Sequence, residues 1–229
     1  MNVDDCKRAA AHLAASFVKP GMVVGLGTGS TAAFMIERLG ERVVKEGLNI
    51  QAIPTSEEST RLARAAGIPI TTFADHSTVD ITIDGADEVE RGTLHLIKGL
   101  GAALLREKIV AQASRRFVVI VDVTKPVDQL GQRVPVPVEV VPFGYEATAA
   151  RLEAMGAEII RPRRLLAGEL LTTDNGNRIL DCAFGPISDV KALAARLDGT
   201  VGVVEHGLFP NMATDVLVAT EREVEQWTP

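Results

Sequence analysis

The chain has 229 residues, with 30 acidic and 24 basic side chains for a formal net charge of −6, and 46 % of its residues are hydrophobic. That balance excludes intrinsic disorder as the main organisation and argues against a general nucleic-acid binder. Cys6 and Cys182 cannot make a disulfide framework or a four-cysteine zinc site, and no apolar run reaches the ~20 residues of a membrane span. The N-terminal run MNVDDCKRAA is acidic and lacks an apolar core, so a cytoplasmic location without a secretory signal is expected.

Asp4 to Val18 reads as a helix, with Ala10, Leu13, Ala14, Phe17 and Val18 on one face. MVVGLG (22–27) is a short buried strand, and the run GLGTGST (25–31) breaks it before helical spacing resumes over 32–43. LNIQAIP (48–54) predicts a second strand, followed by a helix capped by Thr55 with Glu58 as the capping-box acid. IPITTF (68–73) and VDITID (79–84) read as the third and fourth strands. LHLIKG (94–99), a helix over 102–113 and RFVVIVD (116–122) continue the alternation. This βαβ texture predicts an α/β fold: a Rossmann-like, open, mostly parallel sheet with helices on both faces.

The texture changes near Gln129. Prolines at 135, 137 and 142 predict an edge strand or extended linker over 134–142 rather than a central strand. A helix over 143–156, the segments AEIIRP and ELLTT, an Asn175-Gly176 hairpin turn, NRILDCAF and a helix capped by Ser188 follow. TVGVVEHGLF (200–209) and DVLVATE (215–221) close the chain. Residues 130–205 therefore read as a small α+β, ferredoxin-like lid, and residues 1–129 with 206–229 as the larger body.

The glycine-rich run stands between a strand and a helix, where unpaired amides and the helix dipole attract an anion, and a phosphate monoester fits it. A plain strand-to-helix turn fits the same residues. Ser30 stands where a dinucleotide fingerprint needs its third glycine, and no lysine completes a Walker loop. Asp84 and Asp87 in DGADE follow a strand end, and Lys98 and Glu107 lie in KGLGAALLREK. Grouped carboxylates with a lysine can supply an acid, a base and an oxyanion partner. Taken singly, either aspartate could be a turn acid, and Glu107 a solvated residue paired with Arg106 or Lys108. The four histidines (12, 76, 95 and 206) show no metal-ligand spacing, so no metal is expected.

VGLGTGSTA (24–32), PTSEES (54–59), DGADE (84–88), KGLGAALLREK (98–108), DVTK (122–125), PVEV (137–140), TTDNGN (172–177), ILD (179–181) and GLF (207–209) together resemble the A-type ribose-5-phosphate isomerase family. The resemblance runs from Lys7 to the terminal strand. It implies interconversion of D-ribose 5-phosphate and D-ribulose 5-phosphate through an enediolate, with no cofactor and a homodimeric or homotetrameric state. It further implies Glu107 as the proton-shuttling base, with Asp84, Asp87 and Lys98 as active-site groups. Gly27, Thr28, Gly29, Ser30, Thr31, Lys7, Gly99, Gly101 and Lys125 are then substrate contacts. Where the family has three glycines after the lysine, this chain has Gly99-Leu100-Gly101. A leucine is costly in the left-handed region, so a negative φ is expected at Leu100. A sugar-phosphate deaminase, a coenzyme A transferase and a non-catalytic sugar-phosphate sensor are the rival readings.

Overall fold

A computed structural model describes residues 2–229. In chain order the elements begin α1 (Val3–Ser16), β1 (Val23–Leu26), α2 (Ser30–Glu46), β2 (Gln51–Pro54), α3 (Glu57–Ala65), β3 (Ile81–Asp84), β4 (Glu88–Glu90) and β5 (Leu96–Ile97). They continue with α4 (Leu104–Gln112), β6 (Phe117–Asp122), β7 (Pro126–Val127), β8 (Val136–Val140), α5 (Tyr145–Ala154), β9 (Ile159–Pro162) and β10 (Arg178–Ala183). The last are α6 (Val190–Asp198), β11 (Val203–His206), β12 (Leu208–Phe209), β13 (Asp215–Ala219) and β14 (Val224–Trp227). Among the described residues no helix is long and apolar enough to cross a membrane.

The chain folds as two units. The first comprises Met1–Ala86, Arg106–Lys125 and Met212–Pro229. Its six-stranded sheet has the order β14-β13-β6-β3-β1-β2, parallel except for the antiparallel edge strand β14. All six residues of β6, FVVIVD, are buried, the continuous apolar run that a covered parallel strand requires. Val24 and Leu26 of β1 join one core with Ala10 and Ala14 of α1 and Met35 and Leu39 of α2. Val23, which points the opposite way on a strand, packs instead with Ile53 and with Val110 of α4. Helices therefore cover both faces of the sheet.

Two expectations in this unit are corrected. Ser56, not Thr55, caps α3 by accepting the Ser59 amide at 3.0 Å, while the fully buried Thr55 hydroxyl donates to the Leu26 carbonyl at 3.1 Å. Residues 68–73 form no strand, only a single parallel bridge between Ile70 and Ala52. Pro69 has no N–H to extend that ladder.

The second unit comprises Asp87–Leu105 and Pro126–Asn211. Its succession β8-α5-β9-β10-α6-β11 builds an antiparallel sheet ordered β11-β8-β10-β9. Four short strands form a further sheet, β12-β5-β4-β7. Residues 87–105 and 126–211, with both of these sheets, make up this unit.

Strand β8 is internal, paired on both sides and fully buried, where its prolines had predicted an edge or a linker. Its tolerance of proline has a local cause. The Pro137 carbonyl accepts the Gly207 amide at 2.7 Å, so the nitrogen of Pro137 faces that same side, beyond the last paired residue of β11, His206. The ladder to β10 loses no donor there. The cap of α6 is Asp189 rather than Ser188, accepting the Ala192 amide at 2.9 Å. The Asn175-Gly176 turn is present, with Gly176 donating to Thr173 at 2.9 Å, but only its C-terminal arm is a strand.

Candidate active site

In the first unit, β2 and β3 flank β1 on opposite sides, so the chain reverses its direction of sheet building between β1 and β3. Open α/β sheets bind ligands at such a switch point, outside the C-terminal ends of the strands. At that edge the chain places the glycine loop after β1, Asp84 at the end of β3 and Lys125 just after β6. Helix α4 runs back toward the start of β6, so its first turn, which carries Glu107, lies toward the same edge.

Asp84 is fully buried, and its Oδ1 accepts the amides of Thr28 at 3.0 Å and Gly85 at 2.7 Å. Gly27 makes that approach possible, because a Cβ there would stand 2.2 Å from Asp84 Oδ1 and 2.5 Å from its Cα. Gly29 caps α2 at φ +104, and no side chain caps the helix. Ser30 and Thr31 open its first turn, which carries no acid. Lys7 of α1 brings its Nζ to 3.2 Å from Ser30 Oγ. The result is a helix start with a cation beside it, the electrostatics of an anion site. A recess lined by Gly27, Gly29, Ser30, Ala33 and Ser59 opens there.

Thr28 is committed within the protein. Its amide serves Asp84, and its hydroxyl lies 2.7 Å from Thr55, 2.9 Å from Ser56 and 3.1 Å from Ser59. Ser59 also donates to the Gly27 carbonyl at 2.6 Å. This hydroxyl cluster ties the glycine loop to α3, a role that nothing in the local pattern of the PTSEES block reveals.

Glu107 is only 4 % exposed, which removes the reading of it as a solvated helix residue. Arg106 meets Glu57 at 2.8 Å.

In the second unit, the Lys98 side chain is 2 % exposed, with Nζ 5.7 Å from the Phe209 ring centre. Its amide donates to the Gly207 carbonyl at 2.9 Å. Asp87 Oδ2 accepts the Leu100 amide at 2.9 Å. Gly99 takes φ +103, whereas Leu100 is absent from the left-handed region as expected, and the non-glycine residue placed there in this turn is Ala102 at φ +59. Leu100 is 42 % exposed. Glu88, the last acid of DGADE, is buried and accepts the amides of Gly131 and Arg133 at 2.6 Å and Val134 at 3.1 Å, so it organises the segment ahead of β8.

Among the described residues one trio, Asp198, Glu205 and His206, brings potential metal-ligand atoms within 4.8 Å of one another. His206 Nδ1 accepts the Leu208 amide at 3.2 Å, which puts the proton of a neutral ring on Nε2, 3.1 Å from Asp198. A metal would need that nitrogen's lone pair, so the ring in this tautomer offers the trio no ligand atom.

Residues 51–223 match the family profile described as ribose 5-phosphate isomerase A (phosphoriboisomerase A). The ribose-5-phosphate isomerase A of Gluconobacter oxydans is 66 % identical over 229 residues, covering 100 % of this chain and 98 % of its own. The solved ribose 5-phosphate isomerase A of Methanocaldococcus jannaschii aligns with a TM-score of 0.94 at 43 % identity, covering 98 % of this chain and 99 % of that one. A D-ribose-5-phosphate isomerase solved in complex with phospho-erythronic acid gives a TM-score of 0.96 at 38 % identity, over 100 % of both chains.

Proposed function

Because the chain belongs to the ribose 5-phosphate isomerase A family, it is an enzyme interconverting D-ribose 5-phosphate and D-ribulose 5-phosphate, and we propose the residues that carry the reaction. The observation supporting the assignment is burial: Asp84 at 0 %, Lys98 at 2 % and Glu107 at 4 % exposure. Acids and lysines are almost never so buried without a specific role or partner.

Glu107 is the base. It takes the C2 proton of the open-chain aldose while the electron pair moves toward the C1 carbonyl oxygen, forming a cis-enediolate. It then returns the proton to C1 as the C2 carbonyl forms. Asp84 and Asp87 exchange protons with the sugar hydroxyls and assist ring opening, and Lys98 offsets the charge developing on oxygen. The phosphate rests on the amides and hydroxyls of Gly29, Ser30 and Thr31 at the start of α2, with Lys7 and Lys125 supplying positive charge. Gly27 and Thr28 shape that loop, and the backbone of Gly99 and Gly101 faces the sugar. The sheet orders support a Rossmann-like body and a ferredoxin-like α+β part. To the same reading belong a cytoplasmic homodimer or homotetramer that needs no cofactor.

Glu107→Gln keeps the shape of the side chain but cannot accept the proton. Its turnover should fall at least about a hundredfold, the low end for a general base, and solvent deuterium should no longer enter C1 at the wild-type rate. Affinity for phospho-erythronate, measured by calorimetry, should stay within a few-fold of wild type. Turnover comparable to wild type in the Gln variant would move the base to Asp84 or Asp87.

A further inference from the structure

Arg163 follows β9 and takes no part in the machinery assigned so far. Its side chain is 12 % exposed, and all three guanidinium nitrogens donate hydrogen bonds. Nε donates to Asp181 Oδ2 at 3.0 Å, and Nη2 donates to Asp181 Oδ1, so the carboxylate of β10 fixes the plane of the guanidinium. The remaining nitrogen, Nη1, donates to two successive carbonyls, Gly99 at 2.7 Å and Leu100 at 2.9 Å.

Those contacts determine where the loop's own donors point. In a trans peptide the C=O and N–H are antiparallel. Turning the Gly99 carbonyl onto Arg163 aims the Leu100 N–H the other way, where it meets Asp87 Oδ2 at 2.9 Å. Turning the Leu100 carbonyl onto Arg163 likewise aims the Gly101 N–H away from the guanidinium. Lys98, one residue upstream, is pinned by its amide to the Gly207 carbonyl at 2.9 Å. The Gly99 carbonyl also accepts the Ala102 amide at 2.9 Å, so Arg163 reinforces the 99–100 peptide that the turn already holds and adds its own grip on the 100–101 peptide through the Leu100 carbonyl. Two of the contacts come from one nitrogen of Arg163, whose five N–H groups in a rigid fork a lysine cannot reproduce.

We propose that Arg163, locked by Asp181, is a positioning residue for the isomerase reaction: it turns the 99–100 and 100–101 peptides so that Leu100 N–H orients Asp87 and Gly101 N–H donates to a substrate oxygen. This rests on the reading above, in which Asp87, Lys98 and Gly101 act on the sugar. Leucine at position 100 is compatible with it, because the clamp uses the backbone and leaves that side chain exposed.

The test compares Arg163→Met, Arg163→Lys and Asp181→Asn with wild type in kcat, KM and thermal midpoint, alongside Asp87→Asn. Arg163→Met should lower kcat at least tenfold with KM within about twofold, and millimolar guanidinium should restore part of the loss. Arg163→Lys should keep the charge yet recover little, and Asp181→Asn should fall between Arg163→Met and wild type. A wild-type kcat in Arg163→Met, even with a lowered midpoint, would make the clamp merely structural and overturn the proposal. Should Arg163→Met not fold, Arg163→Lys decides by the same criterion. Wild-type turnover in Asp87→Asn would instead sink the reading of the site, whatever Arg163 does.

Discussion

The contact between Gly27 and Asp84 sets a size limit on one residue for the sake of another. A methyl group at position 27 would stand 2.2 Å from a carboxylate oxygen and 2.5 Å from a backbone carbon, so Asp84 or its strand must shift. Gly27→Ala should therefore lower stability by about 1–3 kcal/mol, the usual range for overpacking, and depress turnover as Asp84 moves. Gly29→Ala is the informative comparison, because nothing lies within 4 Å of its Cβ and only φ +104 opposes it. Its effect should appear mainly in KM for ribose 5-phosphate, through the start of α2. Equal losses of kcat in both variants would contradict the distinction. At this scale the sequence made the glycine loop, Asp84 and Glu107 legible, because glycine and charge at a strand end are unusual wherever they occur. Arg163, Glu88 and the Thr28 hydroxyl cluster were not legible. Their partners lie 64, 43–46 and 27–31 residues away in sequence, and no local pattern encodes those contacts.

Between elements, a bidentate ion pair joins the starts of β6 and β13. Arg116 grips Asp215 through Nε at 2.9 Å and Nη2 at 3.0 Å, while Thr214 and Gln226 also donate to that carboxylate. The Arg116 hydrogen bond, with those of Thr214 and Gln226 adding to it and burial opposing it, holds Asp215 below the usual carboxylate range. A depressed carboxylate contributes stability that is present above its unfolded value near pH 4 and lost as pH falls through the lower folded value. The Arg116 side chain is 37 % exposed, so Asp215→Asn should cost only about 1 kcal/mol at pH 7. Urea melts should show the gap between wild type and variant closing below about pH 4, and a gap that widens on acidification would refute the assignment. Long buried strands such as β6 were readable from their apolar runs. Strands of two to four residues, β4, β7 and β14, carry too few residues for a period to show. Pro137 misled because its tolerance depends on where β11 ends.

For the molecule as a whole, the α/β class was legible in the alternation of elements, while the small sheet β12-β5-β4-β7 was not. The β4–β5 hairpin, β7 and β12 come from three separate stretches of chain and find one another only in three dimensions. The two units also happen to share out the cysteines, with Cys6 on α1 in the first and Cys182 on β10 in the second. Both thiols are buried, and burial with the nearby Asp181 charge pushes Cys182 up to about 12. Neither can react with an aqueous disulfide reagent until its surroundings open, so each is a built-in clock for one unit. In Cys6→Ser the labelling rate reads the opening of the second unit alone, and in Cys182→Ser that of the first. Cys182 lies on a strand paired on both sides, so its labelling should show the steep denaturant dependence of whole-unit unfolding, whereas Cys6, on the N-terminal helix, should also label through shallow local fraying. Identical slopes for the two thiols would mean that the chain opens only as one cooperative body. Different slopes would show the units opening separately, and the rates extrapolated to zero denaturant would give the free energy of opening each with no engineered probe.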